Sequence, residues 1–416
     1  MRTILTAALL GASLSARAAS DPWTDLEPLY RDLHKNPELS LQETKTAAKL
    51  AARLRAFGFT VTEKVGGNGV VGILENGKGP TVMLRTELDA LPVEEKTGLD
   101  YASTIPGVMH ACGHDVHMTA WAGAAAALAA DRKGWAGTLM MVAQPAEEIG
   151  QGADAMLRDG LFTRFPRPAA AIALHNNDRL PAGVVGIKPG PMMPSADSVD
   201  IVVFGRGGHG GQPHTTVDPI VIAAKIVLGL QILVSRENDP LEPAVVTVGS
   251  IHGGTRPNVI PDDVKLQLTV RAFKPEVRDR LLAGVERVAN AEAAAAGAPK
   301  PPSITVTPTA PATLSNDALA ALVEPALVRA MGKDRVVVAR PVMPAEDFSR
   351  YAGAGVPILL MWIGTADPEA LADATRNGKT LPGLHSAQFA PVPRATILGA
   401  VEAHVAAAKA VFASKR

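Results

Sequence analysis

The sequence predicts an α/β protein whose larger domain is interrupted by a smaller one, and three observations lead to this prediction. Short apolar runs alternate with helical patterns up to residue 194, the order changes to βαββαβ over residues 195–308, and alternation resumes over residues 309–416. Regular alternation is typical of an α/β fold with a mostly parallel sheet. The βαββαβ order is that of a ferredoxin-like domain. We therefore expect residues 19–194 and 309–416 to form the larger domain, with residues 195–308 inserted into it.

The first part of the larger domain opens with two helical patterns that flank residues 37–40, and Gly58 stands where the second helix would end. Apolar runs of strand length follow, separated by segments of helical length. Runs that are apolar throughout are typical of strands buried on both faces of a sheet. In chain order we predict strands at 69–75 and 80–90, a helix at 118–130, a strand at 137–144, a helix at 152–162 and a strand at 169–175.

The insertion and the last part of the chain show equally periodic patterns, without an internal repeat. In the insertion we predict a strand at 195–208, a helix at 218–235, strands at 243–254 and 262–273, a helix at 274–296 and a strand at 303–308. In the last part we predict a helix at 314–331, strands at 335–340 and 356–364, and a helix at 396–413.

The composition excludes some classes of partner. The 416 residues carry a formal net charge of zero, only 4% of them are aromatic, and no long run of like charges occurs. A surface for nucleic acid or for an anionic membrane would require a basic patch, so neither partner is expected. A small molecule or another protein is the expected partner.

Residues 1–18 have the pattern of a signal peptide. Arg2 precedes an apolar stretch at 4–14, and Ala16 and Ala18 are the small residues that a signal peptidase recognises. The stretch is too short to span a bilayer, and we expect no later segment to span one either. The mature protein is therefore expected to be exported, either to a periplasm or to the medium.

Cys112 is the only cysteine of the chain, so it cannot form an internal disulfide. It lies in the stretch GVMHACGHDVHM, two residues before His114, in a loop that opens a predicted helix. Other polar residues also fall at the carboxyl ends of predicted strands or in loops, which is where ligand sites of open α/β sheets form. These residues are Glu147 and Glu148 after one strand, His175 at the end of another, and His385 in the loop LPGLHS.

Thiolate, imidazole and carboxylate together are the ligand set of zinc and of similar divalent ions. A metal would also explain the lone thiol, since coordination removes its proton. Each residue alone has a simpler explanation: Cys112 as a small buried hydrophobe, a histidine as a hydrogen-bonded core residue, Glu147 and Glu148 as a solvated pair. Because neighbouring side chains diverge, one of the two glutamates could bind a metal while the other faces a metal-bound water, as metal-assisted hydrolysis requires.

The chain resembles the M20 metallopeptidase family, in particular its branch of aminoacylases, hippurate hydrolases and auxin-conjugate amidohydrolases. The matching motifs extend through nearly all of the mature chain. They are LHKNPELS, RTELDALPVEEKTGL, MHACGHDVHMTA, QPAEE, LHN, GRGGHGGQPH, GGTRPNVIPD and PAEDFS. The resemblance implies a zinc-peptidase-like catalytic domain with an inserted lid, through which two copies of the chain would form a homodimer.

The resemblance also implies the roles of individual residues. Two divalent ions (zinc, manganese, cobalt or nickel) would be held by Cys112, His114, Glu148, His175 and His385, with Cys112 bridging them. Glu147 would be the general base of an amide hydrolysis, in which metal-bound water attacks an N-acyl amino acid or a related small amide with a free carboxylate.

Four further residues match supporting positions of the family. His209 would stabilise the oxyanion, often from the partner subunit. Asn258 and Arg271 would bind the substrate carboxylate, although a turn cap and a strand-edge salt bridge are the alternative roles. Asp89 would orient a metal ligand.

Two departures from the family pattern affect the site. Glu87 occupies a position where the branch usually has Asp, so the extra methylene is expected to reposition a group near the metals. The loop after His385 has Ala387 instead of Pro and lacks the usual acidic cluster. This second departure concerns the shape of the loop more than His385 itself.

Three other functions stay open at this point. The first is a metal-dependent dipeptidase or carboxypeptidase, which export would favour. The second is a hydrolase that uses Cys112 as nucleophile with a histidine base. The third is a binding or scaffold protein that has kept the fold without the chemistry, which the intact set of ligand residues opposes.

Overall fold

The computed structural model describes residues 21–414, so the predicted signal peptide at 1–18 lies outside the described residues. Within this described range the larger domain contains eight α-helices and ten strands, and the insertion contains two α-helices and six strands. Those of the larger domain are α1 (Trp23–Lys35), α2 (Thr44–Ala56), β1 (Thr60–Val65), β2 (Gly69–Asn76), β3 (Thr81–Glu87), α3 (His114–Ala130), β4 (Gly137–Gln144), α4 (Gly152–Arg158), β5 (Ala170–Pro181), β6 (Val185–Ile187), β7 (Gly190–Met193), β14 (Thr313–Ser315), α7 (Asp317–Met331), β15 (Val336–Val338), α8 (Ser349–Gly353), β16 (Ile358–Ala366), α9 (Pro368–Arg376) and α10 (Pro393–Ala413). Those of the insertion are β8 (Ser195–Phe204), β9 (Gly208–His209), α5 (Pro219–Ser235), β10 (Ala244–His252), β11 (Val259–Ile260), β12 (Asp263–Ala272), α6 (Pro275–Ala295) and β13 (Ser303–Ala310).

Eight strands of the larger domain form one twisted layer in the order β1-β2-β4-β3-β5-β16-β6-β15. The expectation of a mostly parallel sheet is correct only for its middle. β4, β3, β5 and β16 run parallel, whereas β1 and β2 join as an antiparallel hairpin and β6 pairs antiparallel with β16. The sheet is therefore mixed, with its parallel centre carrying the strand ends that matter for function.

The alternating side chains of the central strands fill two cores, one on each face of the sheet. Leu84 of β3 packs with α1, α2, α3, α7 and α10 on one face, and Met83 packs with α4 and α8 on the other. Because successive side chains of a strand point to opposite faces, strands that are apolar throughout must be covered on both. The result is a three-layer α/β/α arrangement, as the fold prediction required.

The helix α10 is an exception to the expectation that no segment after the predicted signal peptide could span a bilayer. It is long and apolar enough to cross a bilayer, so the expectation that no later segment would qualify is wrong by length and composition. In the structure its small residues, such as Ala403 and Ala407, are buried in the core. The helix is apolar because it packs against α3, α7 and the sheet.

The insertion forms a second, antiparallel sheet in the order β10-β12-β8-β13. Its helices α5 and α6 pack on one face and share a separate hydrophobic core with residues such as Ile201, Leu266 and Val285. The βαββαβ order with this strand arrangement confirms the ferredoxin-like prediction. The exact domain limits at 194/195 and 308/309 stay a prediction.

Candidate metal centre

The segments that carry the candidate ligands meet where β5 extends past its neighbour β3. β3 pairs with β5 only as far as Arg85 opposite Ala173, so His175 lies past the last paired residues of these two strands. The prediction that the strand ends at His175 is wrong, because β5 continues to Pro181 in pairing with β16. The site therefore lies at the carboxyl edge of the parallel centre.

The loop before α3 is held against β5 by Asn176. The Asn176 Nδ2 group donates to the carbonyl oxygens of Cys112 (3.0 Å) and Gly113 (2.9 Å). Gly113 has φ of 76°, and a Cβ there would lie 2.1 Å from Asn176 Nδ2. Only glycine permits this approach, which places Cys112 and His114 on either side of a tight turn.

The five predicted metal ligands come together, with Cys112 in the middle. The Cys112 Sγ atom lies 3.5 Å from Nε2 of His175. On the other side, Nε2 of His385 lies 3.5 Å from Oε2 of Glu148. The ligand atoms form two groups with all separations below 4.8 Å, Cys112 with His114 and His175, and Cys112 with Glu148 and His385. One thiol thus belongs to both groups.

The hydrogen bonds of the two buried histidines leave their Nε2 atoms free to bind a metal. His114 Nδ1 lies 2.8 Å from the carbonyl oxygen of Asp89, and His175 Nδ1 lies 3.0 Å from that of Asn176. A carbonyl only accepts, so Nδ1 carries a proton in both rings, and each ring in its neutral form has its lone pair on Nε2. His114 Nε2 and Glu148 Oε1 are buried without a hydrogen-bond partner among the described residues. Such orphaned acceptors fit a divalent cation.

The electrostatics of the cluster also fit a cation. Burial, followed by the charges of Glu148 and Glu147, raises the pKa of the Cys112 thiol well above its usual range. Burial lowers the pKa of His114, but the hydrogen bond to Asp89 and the charge of Glu87 outweigh it and raise the value to about 10. Burial lowers the pKa of His175 to about 3, which keeps this ring neutral. Excess negative charge at the site would be balanced by bound metal.

Glu147 is adjacent to the ligands but faces a second acidic group. Its Oε2 lies 3.8 Å from Nε2 of His114, and its carboxylate also clusters with those of Glu346 and Asp347. Burial and the charges of these neighbours raise the pKa of Glu147 well above its ordinary value. The pair Glu147 and Glu148 is thus buried at the site, which excludes the solvated pair considered from the sequence.

Residues 83–380 match the family model described as peptidase family M20/M25/M40. The chain belongs to the M20 peptidase family. It is 39% identical over 329 residues to N-acetyl-L-cysteine deacetylase of Bacillus subtilis, with 78% of this chain and 76% of the deacetylase covered. It is 36% identical over 341 residues to thermostable carboxypeptidase 2 of Saccharolobus solfataricus, with 81% and 85% covered.

Solved M20 structures share the fold. A dinuclear metal-binding M20 peptidase of Bacillus subtilis superposes with a TM-score of 0.79 at 31% identity, covering 94% of this chain and 99% of that one. The protein is accordingly a metal-dependent hydrolase of amide bonds. This agrees with the function that the motifs predicted.

The M20 lid residues do not join the cluster within the described chain. His209 is exposed on β9, opposite Val259 of β11, and its Nδ1 accepts from the Gly211 amide at 3.0 Å. The carbonyl of the neighbouring Asn258 accepts from the Gly210 amide at 2.8 Å. No hydrogen bond or ion pair links His209 or Asn258 to a metal-centre residue in the range 21–414.

Arg271 lies at the junction between the lid and the larger domain. It is half-buried on β12, and its Nη1 donates to the carbonyl oxygen of Met343 at 3.0 Å. Burial lowers the pKa of this guanidinium, and no carboxylate among the described residues forms an ion pair with it. The salt bridge considered from the sequence is therefore absent from this part of the chain.

Both departures from the M20 pattern have a local explanation. Glu87 forms a buried ion pair with Arg85, and its Oε2 lies 3.0 Å from Nδ1 of His117. Its longer side chain thus contacts Arg85 and His117. His385 reaches Glu148 despite Ala387, because the His385 amide donates to the Ala111 carbonyl at 2.9 Å and its backbone has φ of 65°.

Several buried polar residues of the site were not identified from the sequence. Arg85 donates to Gln144 at the end of β4 and pairs with Glu346 and Asp347. Arg85 could have been identified from the sequence, because a charged residue inside an apolar strand needs a buried partner. Asn176, which follows His175 directly, had a similar signal as a polar residue in a buried strand.

Proposed function

We propose that the protein carries two divalent metal ions and hydrolyses the amide bond of N-acyl amino acids or related small amides with a free carboxylate. Cys112, His114, Glu148, His175 and His385 would hold the ions. The observation that carries the proposal is the sharing of Cys112 between two ligand groups beside the unpartnered atoms of His114 and Glu148. Zinc, manganese, cobalt and nickel all accept such mixed ligands.

The bound ions would supply Lewis acidity, polarising the substrate carbonyl and lowering the pKa of water towards about 7. The position of Glu147 beside His114, outside the two ligand groups that contain Cys112, supports a role for Glu147 as the group that acts on that water. It would accept a proton and pass it to the leaving amine. Asp89 would support the site by holding His114 through its carbonyl and Glu148 through its carboxylate.

His209, Asn258 and Arg271 would contribute the lid side of the site. Arg271 donates one hydrogen bond, from Nη1, to the Met343 carbonyl, and its other N–H groups could bind a substrate carboxylate. His209 would stabilise the oxyanion, and the lack of a hydrogen bond or ion pair between it and the cluster among residues 21–414 favours a role toward a partner subunit.

A homodimer through the lid would supply that partner. β10 is an edge strand of the lid sheet, so a second sheet could extend it. The helix α5 beside it exposes Val221, Leu228 and Ile232 to 53%, 72% and 42%, at spacings that place them on one helix face. An apolar face next to a free strand edge favours association of two lids.

The second candidate is a metal-dependent carboxypeptidase or dipeptidase. The similarity to thermostable carboxypeptidase 2 supports it, just as the similarity to the N-acetyl-L-cysteine deacetylase supports the first candidate. Both candidates use the same metal centre and differ only in the acyl side of the bond. A nucleophilic Cys112 is disfavoured, since burial raises the pKa of the thiol and thereby suppresses the thiolate.

We also propose that the protein works outside the cytoplasm, in a periplasm or in the medium. Support comes from the pattern of residues 1–18 alone. Export would give the enzyme access to small amides and peptides of that compartment.

The proposal is tested by elemental analysis combined with substrate cleavage. Purified protein should contain about two metal equivalents per chain, and release of free amino acid should stop with a chelator. A panel of N-acetyl, N-benzoyl and dipeptide substrates would separate the two candidates. Cleavage that resists chelation but is lost on thiol alkylation would replace the metal hydrolase with a cysteine hydrolase.

A further inference from the structure

The connection between α1 and α2 contributes a buried carboxylate to the loop that carries the proposed base. Glu43 precedes the first residue of α2 and is fully buried, yet its side chain does not cap that helix. Instead Oε1 accepts hydrogen bonds from the amides of Leu41 (2.9 Å) and Ala146 (2.8 Å). Its Oε2 accepts from Nδ2 of Asn68 at 2.9 Å. Glu43 therefore ties together three segments that are distant in sequence.

Ala146 directly precedes Glu147 and has an unusual backbone. Its φ is 52°, in the left-handed region that residues with a Cβ rarely adopt. Leu41, the other backbone donor to Glu43, is also left-handed, with φ of 68°. Such conformations persist where the surroundings determine them strongly. The Oε1 atom of Glu43 accepts hydrogen bonds from the backbone amides of both of these strained residues.

Other backbone groups of the loop have partners of their own. The Ala146 carbonyl accepts from the amides of Gln151 (3.1 Å) and Gly152 (3.2 Å), and the Glu148 amide donates to Asp89. The buried Ala146 amide has Glu43 as its acceptor. Without this carboxylate the amide would be unsatisfied, which favours rotation of the peptide to another conformation.

We propose that Glu43 is a positioning residue, which holds the left-handed backbone of Ala146 and thereby fixes the direction of the Glu147 side chain. This inference rests on the proposed role of Glu147 as general base. Within residues 21–414 the Glu43 side chain forms no hydrogen bond or ion pair with a proposed metal ligand; it acts through the peptide that joins Ala146 to the base. Its loss should therefore impair turnover rather than binding of substrate or metal.

The first test compares Glu43→Ala with Glu43→Gln in the metal-loaded enzyme, using N-acetyl amino acid hydrolysis. We expect Glu43→Ala to lower kcat about 100-fold through misplacement of Glu147, with KM and the metal content unchanged. Glu43→Gln keeps an oxygen acceptor and should recover kcat to within about tenfold of the wild type. Equal kcat for Glu43→Ala and wild type, or a Gln variant as poor as the Ala variant, would overturn the inference.

Glu38→Ala is the matched control for an effect on stability alone. The Glu38 carboxylate accepts from the amides of Lys45 and Thr46 in the first turn of α2, but it does not contact the loop at Ala146. Its removal should lower the unfolding midpoint and leave kcat unchanged. A similar drop in kcat for both variants would show that loss of α2 stability, and not the Ala146 contact, is responsible.

Two more variants guard against misfolding and separate this inference from the proposed function. Glu43→Asp keeps the charge but is too short to reach both amides, so its kcat should also fall with the metal content preserved; wild-type kcat would count against the inference.

In a Glu147→Gln background, Glu43→Ala should cause no further loss of kcat, because Glu43 acts through the missing base. A further full loss would overturn the positioning role, whereas an active Glu147→Gln enzyme would instead remove the proposed base itself.

Discussion

The carboxylate of Asp89 accepts a hydrogen bond from the backbone amide of Glu148 at 3.0 Å. The carbonyl oxygen of the same Asp89 accepts a hydrogen bond from Nδ1 of His114 at 2.8 Å. The Ser40 hydroxyl donates to the same carboxylate oxygen, Oδ2, at 2.6 Å. Asp89, in the segment that follows β3, thus orients two proposed metal ligands that come from different segments of the chain.

Asp89→Ala removes the carboxylate that holds the Glu148 amide but keeps the backbone carbonyl that holds His114, so it should weaken metal binding through Glu148 without changing the fold. Loss of a residue that orients ligands typically lowers metal affinity about 10- to 100-fold. Titration of the metal-free enzyme by calorimetry would measure this change. The control is Asp100→Ala, which removes an exposed carboxylate paired with Arg31 and should leave the affinity unchanged. An Asp89→Ala affinity equal to that of the control would refute the orienting role.

Glu147→Gln should retain two metal equivalents and lose nearly all turnover. The amide cannot accept the proton of the attacking water, and removal of a general base costs about 10²- to 10⁴-fold in rate. Single-turnover kinetics and elemental analysis on the same sample check both parts. Activity near that of the wild type would eliminate Glu147 as the base.

Cys112→Ala should reduce the affinity for both ions, because the Cys112 sulfur atom belongs to both ligand groups. We expect less than two metal equivalents after dialysis, with the fold preserved by the unchanged cores. Elemental analysis and circular dichroism together measure this. If the variant still held two ions tightly, the bridging role would be wrong.

His209→Ala mixed with Glu147→Gln tests whether the lid histidine acts across subunits. Each parent should be nearly inactive. A heterodimer would combine an intact Glu147 with an intact His209 of the other chain, so random mixing should recover about a quarter of the wild-type activity. Absence of recovery after co-refolding would place His209 in the same chain or outside the mechanism.

The stability contributed by His34 should depend on pH in a defined direction. Its Nδ1 lies 2.6 Å from Asp115 and its Nε2 lies 3.2 Å from Glu95. Burial lowers the pKa of His34, but the two carboxylates outweigh it and raise the value from 6.5 to about 10. The contribution is therefore complete below about pH 6.5 and is lost as the pH rises towards 10.

Urea unfolding of the wild type and of His34→Gln at several pH values measures this loss. The difference in free energy of unfolding should shrink by roughly 1.4 kcal/mol per pH unit within that window. The other titrating groups are common to both proteins and cancel in the comparison. A difference that stays constant between pH 7 and pH 9 would mean that His34 is not protonated in the folded state.

The helices and central strands could be predicted because their patterns are local. The apolar runs of β3 and β4 and the amphipathic α1 show their periodicity within the segment itself. Short or edge elements such as β1, β6 and α9 were missed, since their conformations depend on neighbours in the fold. The length of β5 was underestimated for the same reason: its second half is a strand because β16 pairs with it.

The sequence by itself determined which residue types could bind metal and that they follow the strands of an α/β sheet, because strand ends and ligand chemistry are local properties. Only the tertiary structure decided that Glu43 meets Ala146, 103 residues away, and that Asn176 closes the loop of Cys112. It also showed that His209 forms no hydrogen bond or ion pair with the ligands in the part of the chain that the structure describes. Such contacts depend on how distant segments pack, and the spacing of residues along the chain does not encode those distances.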